Sequence, residues 1–126
     1  MHKSKLAGFI IDCQTDNLAA ATAFWSAALG MPLGEVSSDE VSQYQRLNDP
    51  NDALHVEVQA VDHPSRVHLD IETDDLEAEV LRLEALGARR LSKVKTWWVI
   101  EAPTGQRFCV VRQLSTHFAT QANRWQ

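Results

Sequence analysis

The feature that most limits how this chain can fold is that it repeats itself. "GFIIDCQTDNLAAATAFWSAALG", residues 8 to 30, is matched by "RVHLDIETDDLEAEVLRLEALG", residues 66 to 87. Asp12 aligns with Asp70, Thr15 with Thr73 and Asp16 with Asp74; both segments end on Ala-Leu-Gly, at Gly30 and at Gly87. The register slips by one residue inside the helical part. Strand, cap, helix and glycine stop recur in one order, which points to two copies of a single supersecondary unit.

Each copy reads the same way. Leu6 to Cys13 has the length and composition of a strand. Asp16 is placed to cap a helix, because its carboxylate can accept from the free N–H groups of the first turn. Leu18, Ala21, Trp25 and Ala28 then form a helical stripe, and Gly30 supplies the left-handed stop. In the second copy Asp74 or Asp75 is the cap, Leu76, Val80 and Leu83 form the buried stripe, and Glu77 and Glu84 face water. Strands are expected near Leu33 to Ser37, Gln43 to Asn48 and Ala53 to Val61, then near Arg90 to Val94, Trp97 to Glu101 and Arg107 to Arg112. "NDPND" and "APTGQ" are turns by their proline, asparagine, aspartate and glycine. The fold class is therefore α+β, with two βαβββ modules at about residues 5–61 and 65–113 and a tail at 114–126, all in one domain over 1–126.

Composition excludes several alternatives. With 44% hydrophobic residues in 126, disorder is not expected. The apolar runs are too short to span a bilayer, and the run after "MHKSK" breaks at Asp12, unlike a secretory signal. Cys13 and Cys109 make no disulfide framework, so a cytoplasmic location is expected. A net charge of -5 argues against nucleic acid as a partner.

Strand alternation sorts the polar residues. His55, Glu57 and Gln59 share a face opposite Leu54, Val56 and Val58; His68 and Asp70 share one opposite Val67 and Leu69. The apolar faces are expected to pack the helices. His55 and Gln59 also suit the wet side of an antiparallel sheet. Asp12 and Asp70, at equivalent places in the repeat, suit a structural role in which each carboxylate accepts backbone N–H groups. Trp97 and Trp98 must point to opposite faces, so one is core and the other a wall for a flat ligand, as is Tyr44. Cys109 suits a buried apolar position.

Two consecutive βαβββ units resemble the vicinal oxygen chelate superfamily, which includes glyoxalase I, the bleomycin-resistance proteins and the extradiol dioxygenases. The similarity is to its glyoxalase-like domain branch. It is carried by "IIDCQTDNLAAATAFWSAALG", "VQAV", "RVHLDIETDDLEAEVLRLEALGA" and "WWVIEAPTGQRFCVV", which cover about residues 8 to 112. The resemblance implies a mixed sheet curled into a cup with helices on its outer face. It also implies that metal-dependent members place His, Glu or Gln ligands on strands facing the cup. His68 occupies the ligand position of the second module. Phe9 or Ile10 stands there in the first and cannot bind metal. Cys109 stands where Glu is usual, and Glu57, then Gln59, are the candidates on the last strand of the first module.

The expected activity is therefore small-molecule binding in the cup, without the standard metal site and with no cofactor. His68, Glu57, Gln59, Phe9, Trp97 and Tyr44 are the ligand-binding candidates. The alternative is a metal-dependent lyase or isomerase of the glyoxalase type using His68 and Glu57, with Cys109 as a further ligand; a thiolate there would favour zinc. No catalytic residue is assigned. A homodimer is expected, since the resemblance implies that members of this size often pair; Trp125 in the tail "STHFATQANRWQ" also needs cover or a partner.

Overall fold

The structure is a computed structural model that describes residues 1–35 and 43–126. The chain divides into two compact units, Gly8–Val67 and a second built from Met1–Ala7 with His68–Gln126. Among the described residues no helix is long and apolar enough to cross a membrane.

The Gly8–Val67 unit holds most of strand β1 (His2–Gln14), helix α1 (Leu18–Leu29) and strands β2 (Tyr44–Asn48) and β3 (His55–Val61). β1 pairs with β3 in parallel, with Ile10 opposite Glu57 and Asp12 opposite Gln59; β2 pairs with β3 antiparallel. Val56 and Val58 alternate inward and join Leu47 in a buried cluster. Phe9, Cys13, Leu18, Ala21 and Trp25 pack on it, so the odd-numbered face of β1 is the one toward α1 here. The cap of α1 is Asn17, one residue beyond the expected Asp16; its side chain accepts from Ala20 N at 3.0 Å. Both residues are good caps, and only the loop geometry chooses between them. Gly30 ends the helix at φ 67°, as the stop requires. Thr22 rather than Ala28 is the buried residue of α1. Of the strand expected at Leu33 to Ser37, Leu33 forms an isolated bridge to Leu47, and residues 36 and 37 lie outside the described residues.

The second unit holds the start of β1, most of β4 (Arg66–Thr73), α2 (Leu76–Ala85), β5 (Arg89–Val94), β6 (Trp97–Glu101), β7 (Arg107–Arg112), the short α3 (Phe118–Gln121) and β8 (Asn123–Trp125). β4 and β7 run parallel; β6 pairs antiparallel with both β7 and β5. Asp75 caps α2, accepting from Ala78 N at 3.1 Å. Val80 and Leu83 pack on Ile100 and Val110, with Ile71, Leu76, Trp98 and Phe108 around them. Each fully buried aliphatic side chain here contributes roughly 1.5–3 kcal/mol.

Two expectations bear on this unit. The apolar face of β4 packs on α2 at Ile71, as expected, but on that face Leu69 is 51% exposed, while Asp70 and Glu72 on the other are buried. Periodicity finds two faces of a strand without saying which is covered. Trp125 has its cover within the chain. β8 pairs antiparallel with the start of β1, the indole donates to Ser4 Oγ at 2.8 Å, and the Arg82 guanidinium lies 3.8 Å from the ring centroid.

Glu79 on α2 is fully buried. It accepts from Arg82 Nε and Nη2, each at 2.8 Å, and meets His2 Nε2 at 2.7 Å. Burial pushes its carboxyl up, but the bonds from Arg82, His2 and Ser4 outweigh it and leave the group below its ordinary value of 4.5. A depressed carboxylate contributes stability that is complete above its unfolded pKa and is lost as pH falls through the folded one. The melt of the wild-type protein is thus expected to fall as pH drops below about 4.5. The Glu79→Gln variant should show a shallower acid limb, measured by thermal unfolding from roughly pH 6 to pH 3. Parallel limbs would remove Glu79 as the source.

Candidate functional site

The polar face of the Gly8–Val67 unit is built by β1, β2 and β3. Cross-strand register sets Tyr44 opposite Gln59 and Arg46 opposite Glu57 on β2 and β3, with Ile10 and Asp12 alongside on β1. His55 Nε2 lies 2.7 Å from Glu57 Oε1, and the two side chains are 12% and 16% exposed. Gln59 Nε2 donates to the Tyr44 hydroxyl at 3.0 Å. Arg66 Nε lies 3.5 Å from Asp12 Oδ2. Asp12 therefore meets a cation. Ile10 is the first-module counterpart of His68. It is 4% exposed, and no donor atom stands at that position. Phe9 packs into the α1 core instead of lining this face.

In the second unit the equivalent face carries His68 and Asp70 on β4, Cys109 on β7, and Val99 and Trp97 on β6. Asp70 stands opposite Cys109, and Cys109 opposite Val99. His68 Nε2 is 3.6 Å from Asp70 Oδ1. A ligand atom from each of His68, Asp70 and Cys109 lies within 4.8 Å of the other two. Trp98 packs on the α2 core, which puts Trp97 on the polar face. Farther along the same face of β4, Glu72 is fully buried. Its Oε1 accepts from Leu114 N, Ser115 N and Ser115 Oγ at 3.0–3.1 Å, with Lys5 Nζ 3.6 Å from Oε2.

The ligand-binding candidates thus fall into two groups. Glu57, Gln59 and Tyr44 share one face in the first unit, and His68 and Trp97 share one in the second. Asp70 was expected to hold backbone rather than to join His68 and Cys109. The alternation of β4 already paired it with His68; Cys109 enters only through the β4–β7 register, which is a long-range pairing with no local signal.

Comparisons with known proteins agree with this architecture. The structure of methylmalonyl-CoA epimerase from Mycobacterium tuberculosis matches with a TM-score of 0.65 at 19% identity, covering 91% of this chain and 91% of that one. A hypothetical protein from Bacillus halodurans C-125 matches with a TM-score of 0.66 at 12% identity, over 90% of this chain and 96% of that one. The Mn(II)-bound glyoxalase from Novosphingobium aromaticivorans matches with a TM-score of 0.63 at 15% identity, over 91% of this chain and 41% of that one. At these identities the likeness establishes the fold and nothing finer. A search of curated proteins found no match. The family model described as a glyoxalase-like domain matches residues 8–111, most of the chain, from within β1 to within β7. Because that match spans most of the chain, the chain belongs to the glyoxalase-like domain family.

Proposed function

We propose that this protein binds a small organic molecule on the polar sheet face of its Gly8–Val67 unit, without the standard metal set of its superfamily. The observation that carries this is Ile10. A buried aliphatic side chain stands at the repeat counterpart of His68, directly opposite Glu57, and Glu57 is itself engaged by His55. What this face offers is a half-buried set of hydrogen-bonding groups: the Glu57 carboxylate, the Gln59 amide and the Tyr44 hydroxyl. Such groups orient a ligand while apolar surface supplies most of the affinity. Structures sharing the fold include methylmalonyl-CoA epimerase in complex with methylmalonyl-CoA, so acyl thioesters belong among the probes. Cationic and aromatic compounds belong there too, given the carboxylates and the aromatic Tyr44.

The test is a thermal-shift screen of those compounds with a chelator present throughout, followed by calorimetry. Gln59→Ala and Tyr44→Phe should each weaken the best compound about tenfold, the worth of one good hydrogen bond, while leaving the melt unchanged. Binding found only when the chelator is left out, or binding that ignores both substitutions, refutes the proposal.

A second reading has its own support. The cluster of His68, Asp70 and Cys109 favours a metal-dependent lyase or isomerase, the class to which a Mn(II)-bound structural neighbour points. Activity that is lost on chelation and restored by a divalent ion would select it.

A further inference from the structure

We propose that the outer face of α1 is the surface through which two copies of this chain pair, about a two-fold axis.

The composition of α1 points there first. Its 12 residues, LAAATAFWSAAL, include no charge, in a chain where 23% of residues are charged. Its two hydroxyls do not serve the outside either. Thr22 is buried, and Ser26 Oγ donates to the Met31 carbonyl at 2.7 Å. Leu18, Ala21 and Trp25 join Thr22 on the sheet side of the helix. Helical spacing then turns Ala20, Ala23, Phe24 and Ala27 outward, and all four are exposed, Phe24 by 62%. A helix that is apolar all round is normally covered all round. Leu33 extends the same surface. It stands opposite Leu47 in an antiparallel bridge, which turns it to the helix side of the sheet, and it is 58% exposed.

The second helix shows the same position with cover. Phe24 and Arg82 occupy one place counted from the start of their helices. Arg82 is charged, is paired with Glu79 and lies against the Trp125 ring. Among the described residues, the ring packed on Phe24 is its own neighbour Trp25, edge-on at 5.0 Å. The tail thus serves α2, and α1 is left bare.

Charge, shape and area make the occupant a second copy. In a two-fold contact each surface meets itself, so any charge would face its like; α1 has none to face. Phe24 rises between the short Ala20 and Ala27. Two such faces crossing at the axis each lay a ring over the alanines of the other, with helix axes about 8–10 Å apart. The exposed apolar surface amounts to about 500 Å² per copy, or roughly 1,000 Å² for the pair, the least that a specific interface needs. A contact of that size gives a weak pair, with a dissociation constant on the order of ten micromolar. The ligand-binding face is on the other side of the sheet, because Val56 and Val58 are turned to α1 while His55, Glu57 and Gln59 are turned away. The two proposals therefore fail separately.

Sedimentation velocity of the full chain, from about 1 to 500 µM, should show a reversible monomer–dimer equilibrium. Phe24→Glu and, separately, Ala27→Glu bring like charges to the axis and should each weaken pairing at least about hundredfold. Leu81→Glu, at a comparably exposed apolar residue of α2, should leave pairing as it is. Melts at about 1 µM, where the chain is monomeric, should be nearly the same in all variants, since surface substitutions change stability little. Should one glutamate variant fail to fold, the other decides. A monomer at the highest concentration, assembly beyond a dimer, pairing that survives both α1 glutamates, or equal loss in Leu81→Glu would overturn the proposal. The first of these would leave the face to a different chain or to a lipid surface.

Discussion

Gly8→Ala is expected to be among the most damaging single substitutions in the chain. A Cβ at Gly8 would sit 1.9 Å from the carbonyl oxygen of His55 and 2.7 Å from its carbonyl carbon and its nitrogen. These are backbone atoms of the paired strand, with Gly8 opposite His55 in the register, so no side chain can swing aside. β1 and β3 would have to part at the start of their ladder. Glycine inside a strand often marks such a close backbone approach. Forced overpacking costs typically 1–3 kcal/mol, and a rigid neighbour puts this case at about 3 kcal/mol or above. Equilibrium denaturation in urea checks it through the midpoint. A loss under about 1 kcal/mol would show that the strands yield easily. The same displacement would shift His55 and Glu57, so any ligand held by that face should weaken in step.

Glu72→Ala should cost a comparable amount for a different reason. The carboxylate gathers two backbone donors, at Leu114 and Ser115, the Ser115 hydroxyl and the Lys5 ammonium. Removing it strands two part-buried N–H groups, at about 1–3 kcal/mol apiece, and leaves a little-exposed ammonium without its counter-charge. A total of about 3–5 kcal/mol follows, or roughly 10–20 °C in Tm. Glu72→Gln should lose about half as much, because its amide oxygen still accepts from the backbone. Calorimetric melts of both variants decide the matter. Equal losses in the two would mean that the negative charge alone, and not the backbone bonds, is responsible.

Glu72 and Glu79 also show where sequence reading ends. Charged residues are read as solvent-facing because an unpaired buried charge is so costly. Whether a pair exists depends on His2, Lys5, Arg82 and the segment at Leu114 and Ser115, which are mostly remote in sequence. By contrast, the stripe of Val80 and Leu83 and the cap at Asp75 were legible because helices are written in local periodicity. The alternation of β3 was legible for the same reason. Tryptophan orientation was half legible: neighbours on a strand must diverge, but only the packing of α2 decides that Trp98 turns inward. The family resemblance located His68 and Glu57; the assembly of Asp70 and Cys109 beside His68 needed the β4–β7 register.

The path of β1 has a consequence for how the chain is made. Its first residues belong to the unit completed by His68–Gln126, and they meet Glu72, Asp74, Glu79 and Trp125 there. A ribosome releases residues in order, at about 5–20 per second. Residues 2 to 5 therefore emerge on the order of ten seconds before their last partners exist. Meanwhile Gly8–Val67 has all its own strands available once it has emerged. Vectorial synthesis thus orders assembly: the leading segment waits unpaired while the contiguous unit organises, and the discontinuous unit closes only when the tail arrives.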